Sequence, residues 1–241
     1  MKIKQITFLL ILCLISSSGI YADQDDQPQV TLHGSTIKYD GILNEAGFNE
    51  IKSAYRKANR NVKWLYVNSP GGEINISMDI GFWVFQNHLN IRVQEKCLSS
   101  CANYIFTAGI NKVIEKNAIV AWHGSAFQES LGSLTEDEIN EALISIDDPI
   151  EKKEARKRLI DQYNDYLSKM KKKQETFFKS IGADQNITVI GQSRKYNVKN
   201  FWVLSVDDMA KFGILNVKAQ NYHPEKIASE YSQVTYIKLK E

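Results

Sequence analysis

The stretch VKWLYVNSPGGEINISMDIGFWVFQNHLNIRVQEKCLSSCANYIFTAG, residues 62–109, decides the fold. It opens on an apolar run, VKWLYVN, that reads as a strand and stops at Ser69-Pro70-Gly71-Gly72, a tight turn. Residues 74–89 follow as a mostly apolar helix, buried on several sides. Residues 91–96 read as a short strand, and the small-residue-rich segment 101–109 as a helix that ends at Gly109. Strand, helix, strand, helix is the rhythm of an α/β unit with largely parallel strands and right-handed crossovers.

Working outward, residues 30–41 read as a strand and turn, and 44–59 carry Phe48, Ile51, Tyr55 and Ala58 at helical spacing. On the other side, 112–124 reads as two short strands with an Asn turn, ending at Trp122-His123-Gly124. Residues 135–181 break the rhythm. Thr135 begins a capping-box-like TEDE, and a long charged helical stretch is interrupted near Asp147-Asp148-Pro149, where Pro149 suits the first turn of a second helix. This block reads as an arm or interaction surface rather than core. Segments 186–198 and 201–215 return to short strands and a small amphipathic helix, and the stretch after Gln220 holds a strand-like VTYIKL. The expected organisation is one α/β domain over 23–220, with a helical insertion at about 130–185 and a C-terminal tail, 221–241.

The 241 residues suit a single domain with an ample core, and 43% hydrophobic with 24% charged residues exclude collagen, bulk disorder and a multi-span membrane protein. The first 22 residues differ in kind: Lys2 and Lys4, the apolar run ITFLLILCLI, then small residues up to Ala22. That is the pattern of a signal peptide, cleaved after Ala22; the other reading is an uncleaved anchor helix, disfavoured because the apolar run is about half of the ~20 residues a spanning helix needs. Cleavage leaves 30 less two, or 28, basic residues against 28 acidic ones. A formal charge of zero argues against electrostatic capture of nucleic acid, and leaves membrane contact to the signal peptide alone. The run Lys169–Lys173 reads as a solvated helix face. Export to a periplasmic or secreted location places Cys97 and Cys101 in an oxidising compartment.

Three segments could carry chemistry. Gly71-Gly72, at a strand end that passes into a helix, can turn backbone N–H groups toward an incoming oxygen. Cys97-Leu98-Ser99-Ser100-Cys101 spans a strand-to-helix junction, where a serine serves as an N-cap or as a nucleophile. The two cysteines could form a disulfide across that junction, a part of a metal site, or two buried thiols; with no second cysteine pair and few histidines the metal reading is weakest, and no metal or cofactor is expected. Of four histidines, His123 alone ends a strand within the apolar α/β part, as a structural residue or as a base.

The order of these segments resembles the Clp protease proteolytic subunit, within the Clp-protease/crotonase superfamily. LYVNSPGGEINISMDIGFWV looks like that family's oxyanion-loop segment, SCANYIFTAG its nucleophile helix, AIVAWHG the strand with its histidine, and VLSVDDMAKFGILN its closing helix. The likeness covers roughly 30–124 and 200–217, and is nearest to an exported subgroup with a Cys-x-x-Ser-Cys nucleophile segment. It implies a spiral of β-β-α units with a parallel sheet and an inserted long helical arm. It implies Ser100 as nucleophile, His123 as base, and the N–H groups of Gly72 and Cys101 as the oxyanion hole, all converging on one cleft. Gly71, Glu73 and Ile74 would hold an extended peptide or protein substrate, and residues 130–185 correspond to the family's ring-contact arm, a surface for a homo-oligomer.

The sequence departs from that pattern where the family has its third, acidic member. The register places Phe201 there with Asn200 one step away, so Asn200 is the candidate third residue, while Asp184, Asp207 and Asp208 fall out of register. The region between His123 and the closing helix is also longer than in the family. Besides a serine peptidase, two readings follow: a catalytically inactive binding or assembly module on the same fold, and crotonase-type thioester chemistry, for which the sequence shows no adenine-pocket signature.

Overall fold

Alternating burial writes the sheet. Strand β1 (Gln29–His33) turns through Gly34 into β2 (Thr36–Asp40), and the two pair antiparallel. β3 (Trp64–Ser69) lies parallel to β2, with Leu65, Val67 and Ser69 on its buried side. β4 (Asn90–Leu98) is parallel to β3 and long enough to serve two further strands. Its first half pairs with β5 (Lys112–Ile114) and its second half with β6 (Ile119–Ala121). β8 (Val217–Ala219) closes the edge beside β5, giving the order β1-β2-β3-β4-β5-β8 with β6 branching from β4. The computed structural model describes residues 27–239, so the signal-peptide expectation for 1–22 lies outside the described residues. The chain is a mixed α/β protein with a mostly parallel sheet.

Two helices cover the apolar face. α1 (Glu45–Lys57) is capped by Asn44, whose side chain accepts from the Gly47 N–H, and it buries Gly47, Ile51 and Ala54 at helical spacing. α2 (Ile74–Gln86) sets Met78, Gly81 and Val84 against the core. Gly81 is needed there, because a Cβ would stand 2.6 Å from the Tyr104 carbonyl oxygen and 2.9 Å from the Phe177 ring.

Two expectations are corrected. The charged block is not simply an arm outside the core. α3 (Glu136–Ala142), capped by Thr135 and Glu138, pairs with the first half of α4 (Pro149–Ile181) around a small cluster of Ile139, Leu143 and Leu159. The second half of α4 enters the main core through Leu167, Met170, Gln174, Phe177 and Phe178. Segment 186–198 forms no strand: it winds into short 3-10 turns, Gln185–Thr188 and Ile190–Gln192, because Ile187 and Thr188 bury themselves beside α4 instead of adding to a sheet.

The rest of the chain forms a second small layer. β7 (Phe201–Val203) leads into α5 (Val206–Lys211), and after α6 (Pro224–Glu230) β9 (Val234–Tyr236) pairs parallel with β7. An antiparallel bridge between Trp122 and Trp202, both fully buried, joins this layer to the end of β6. The segment after Gln220 is thus built into the fold, with Ile237 buried. Among the described residues no helix is long and apolar enough to cross a membrane.

Candidate active site

Of the residues that the sequence singles out, Ser100, His123 and the Gly71-Gly72 pair lie at the C-terminal edge of the parallel strands. In open α/β sheets this is where ligands bind. Leu98 at the end of β4 pairs with Ala121 at the end of β6, and the Ser99 N–H bonds the Ala121 carbonyl at 2.9 Å. Ser100 therefore leaves one strand, and His123 its neighbour, on the same edge. The Asn103 side chain ties the two exits together by donating to the Gly124 carbonyl at 2.6 Å.

The serine turn is tight. Ser99 takes a left-handed φ of 52°, and the chain enters a π-wound helix, Cys101–Phe106, whose residues are all buried. Both features are uncommon and recur at functional sites. Cys97 and Cys101 form a disulfide that closes this turn, with Cα atoms 5.1 Å apart and both residues fully buried. The C97A/C101A variant is expected to lose about 2 kcal/mol of unfolding free energy, the chain-entropy value for so short a loop. Urea titration measures it, and a loss below about 0.5 kcal/mol would mean that packing alone holds the turn.

Gly71 and Gly72 are held against this turn. Gly71 has a φ of 103°, and a Cβ there would stand 2.8 Å from the Leu98 carbonyl oxygen. Gly72 forms a parallel bridge with Leu43, in which Leu43 bonds Gly71 O at 2.8 Å and the Glu73 N–H bonds Leu43 O at 3.1 Å. That pattern leaves the N–H and C=O of Gly72 itself on the other edge, toward Ser100. The Ser100 hydroxyl donates to this Gly72 carbonyl at 3.0 Å. The N–H groups of Gly72 and Cys101 find no acceptor among the described residues.

The resting arrangement differs from the expected one in three respects. Ser100 is only 3% exposed, and its hydroxyl is bonded to Gly72 rather than to His123. Glu73 does not stand ready for a substrate: its carboxylate caps α2, accepting from the Asn75 and Ile76 N–H groups at 2.9 and 2.6 Å, and so occupies the helix end that would otherwise favour a developing oxyanion. Ile74 packs against the main core. The helix start is also braced by α4, where the Tyr166 hydroxyl meets the Asn75 side chain at 2.7 Å and Lys173 pairs with Asp79 at 2.8 Å.

Behind His123 there is a ring, not an acid. The Trp122–Trp202 bridge sets Phe201 directly across from His123, and their ring centroids are 4.9 Å apart, tilted by 34°. Asn200 is one residue out of step, exposed, and makes no hydrogen bond to the imidazole. The aspartates are engaged elsewhere: Asp184 caps a 3-10 turn, and Asp208 bonds Ser205 and Lys211. Desolvation pulls the His123 pKa below its ordinary 6.5, which keeps the ring neutral and able to accept a proton. Its backbone carbonyl is held by Gln192 at 3.0 Å. Among the described residues no cluster of His, Cys, Asp and Glu could hold a metal ion.

No family model matches the chain, and no curated protein matches it.

Proposed function

We propose that the chain is an exported serine hydrolase of the Clp-protease/crotonase type that cleaves short or unfolded peptides. The observation that carries this reading is the junction of a buried, sharply turned Ser100, a glycine pair with a free N–H, and a desolvated neutral His123 on adjacent strand ends. The β4–β6 branching of the sheet is compatible with the spiral of β-β-α units that such a fold would have. In the proposed reaction the Ser100 hydroxyl leaves Gly72 O and its oxygen attacks the substrate carbonyl while His123 takes the proton. The N–H groups of Gly72 and Cys101 receive the oxyanion, the C–N bond breaks, and His123 returns the proton to the departing amine. Water, deprotonated by the same imidazole, then releases the acyl group. With Phe201 behind the ring, this is a Ser-His dyad whose imidazole is oriented by packing.

A fluorophosphonate tests the reading directly. The folded protein lacking residues 1–22 should be modified at Ser100, and S100A should not. Three observations favour a second reading, a catalytically inactive binding module: the burial of Ser100, its hydrogen bond to Gly72, and the absence of an acid behind His123 among the described residues. Complete lack of modification of the folded wild type would establish that reading instead.

A further inference from the structure

The apolar stripe by which α4 enters the core contains one amide. Gln174 stands among Leu167, Met170, Phe177 and Phe178 and is fully buried. Its Oε1 accepts from the Tyr104 hydroxyl at 2.7 Å and from the Ala126 N–H at 3.2 Å. Its Nε2 donates to the Ser125 hydroxyl at 3.1 Å and to the Thr188 hydroxyl at 3.4 Å, and those two hydroxyls are 2.8 Å apart. A methionine of like volume would fill the space but leave the buried Tyr104 hydroxyl and Ala126 N–H without their acceptor, so the amide contributes stability as well as shape. What a saturated buried amide adds is a unique geometry.

The segments it joins are those of the proposed site. Tyr104 lies on the π-wound helix one turn beyond Ser100, and Ser125-Ala126 directly follow His123-Gly124. We infer that Gln174 is a positioning residue: it fixes the spacing between the Ser100 turn and the His123 strand end, and makes that spacing depend on the seating of α4. This rests on reading Ser100 and His123 as the reacting pair. The Asn103–Gly124 bond ties the same two segments directly at the strand ends, whereas Gln174 ties them from the helical block that also braces Asn75 and Asp79 beside the glycine pair. A displacement of 1 Å between reacting groups costs on the order of 10²-fold in rate, so a brace of this kind governs reactivity as well as stability.

The test uses the chain without residues 1–22 and the variants Q174M and Y104F. Expected in Q174M is a single cooperative unfolding transition at a lowered midpoint, a fluorophosphonate modification rate lowered at least about tenfold under conditions where the variant is folded, and a displaced ring resonance for His123 in carbon–proton NMR, with the exposed His223 unmoved. Y104F, which loses one of the four bonds, should move both readouts the same way by less. A folded Q174M with wild-type modification rate and an unmoved His123 resonance overturns the inference. Should the wild type resist the probe, the hydrolase reading falls, and the His123 resonance alone decides whether Gln174 positions that segment. Should Q174M fail to fold, Y104F decides by the same two readouts.

Discussion

His123→Ala is expected to slow the modification of Ser100 by a fluorophosphonate about 10²–10⁴-fold, the usual contribution of a positioned general base. The loss should be large because no other side chain among the described residues is placed to share the work: Asn200 is out of step and Phe201 fills the space behind the ring. The pH dependence follows from the burial of the ring. Desolvation disfavours the imidazolium, so the base stays neutral to below pH 6.5 and the wild-type rate should fall only as pH drops through the lowered pKa of the folded protein. Stability carries the same signature. Above about pH 6.5 the ring is neutral both folded and unfolded and contributes no slope. Below it the unfolded chain takes up a proton that the folded chain refuses, so stability declines until the pH reaches the lowered folded-state pKa and is level beneath it. H123A should lack this decline. Stopped-flow labelling and urea titrations at several pH values measure the two effects. A variant that labels at the wild-type rate removes His123 from the chemistry, whatever its burial does to stability.

The amino-acid sequence carried the sheet and most of the helices because period-two and period-3.6 patterns survive in short windows. Leu65 and Val67 alternate with half-exposed Trp64 and Tyr66, and Gly47, Ile51 and Ala54 share one face of α1. It failed where tertiary packing overrode local preference. The β-branched run Ile187-Thr188-Val189-Ile190 has the composition of a strand, yet its side chains are taken up by α4 and the backbone closes into 3-10 turns. The core role of α4 was present as Leu167, Met170, Gln174 and Phe177–Phe178, but lysines between those positions dominate the reading of charge.

At the candidate site, the placement of Ser100, His123 and the glycine pair on one edge was what the family resemblance implied; the strand ends by themselves do not say which strands are neighbours. Phe201 opposite His123 follows once Trp202 is aligned with Trp122. The hydrogen bond from Ser100 to Gly72 and the capping of α2 by Glu73 depend on the approach of the Leu43 segment and on side-chain rotamers, which no spacing encodes. The brace through Gln174 is long-range for the same reason, joining residues far apart in the chain through a helix read as peripheral.

Phe177→Ala separates those two views of the helical block most sharply. Phe177 is fully buried, with its ring edge-on to Phe82 at 5.2 Å, Tyr104 at 5.6 Å and Phe178 at 5.2 Å, and it fills the space that Gly81 leaves open on α2. Truncating such a side chain removes its transfer free energy and leaves a cavity lined by rigid rings that cannot collapse, a loss of about 3–5 kcal/mol. Against a total stability of about 5–15 kcal/mol, that is a third or more of the margin. The midpoint of urea unfolding should fall while its slope stays constant, because the same surface is exposed in one cooperative step. I150A near the start of α4, where Ile150 is 73% exposed, should stay within about 0.5 kcal/mol of wild type. Were α4 an appended arm, Phe177→Ala would instead split the transition, with the β-sheet core melting at its original midpoint and only the helical block lost early. A single shifted transition makes α4 a structural partner of the Ser100 helix, folding in one cooperative unit with the strand ends that carry Ser100 and His123.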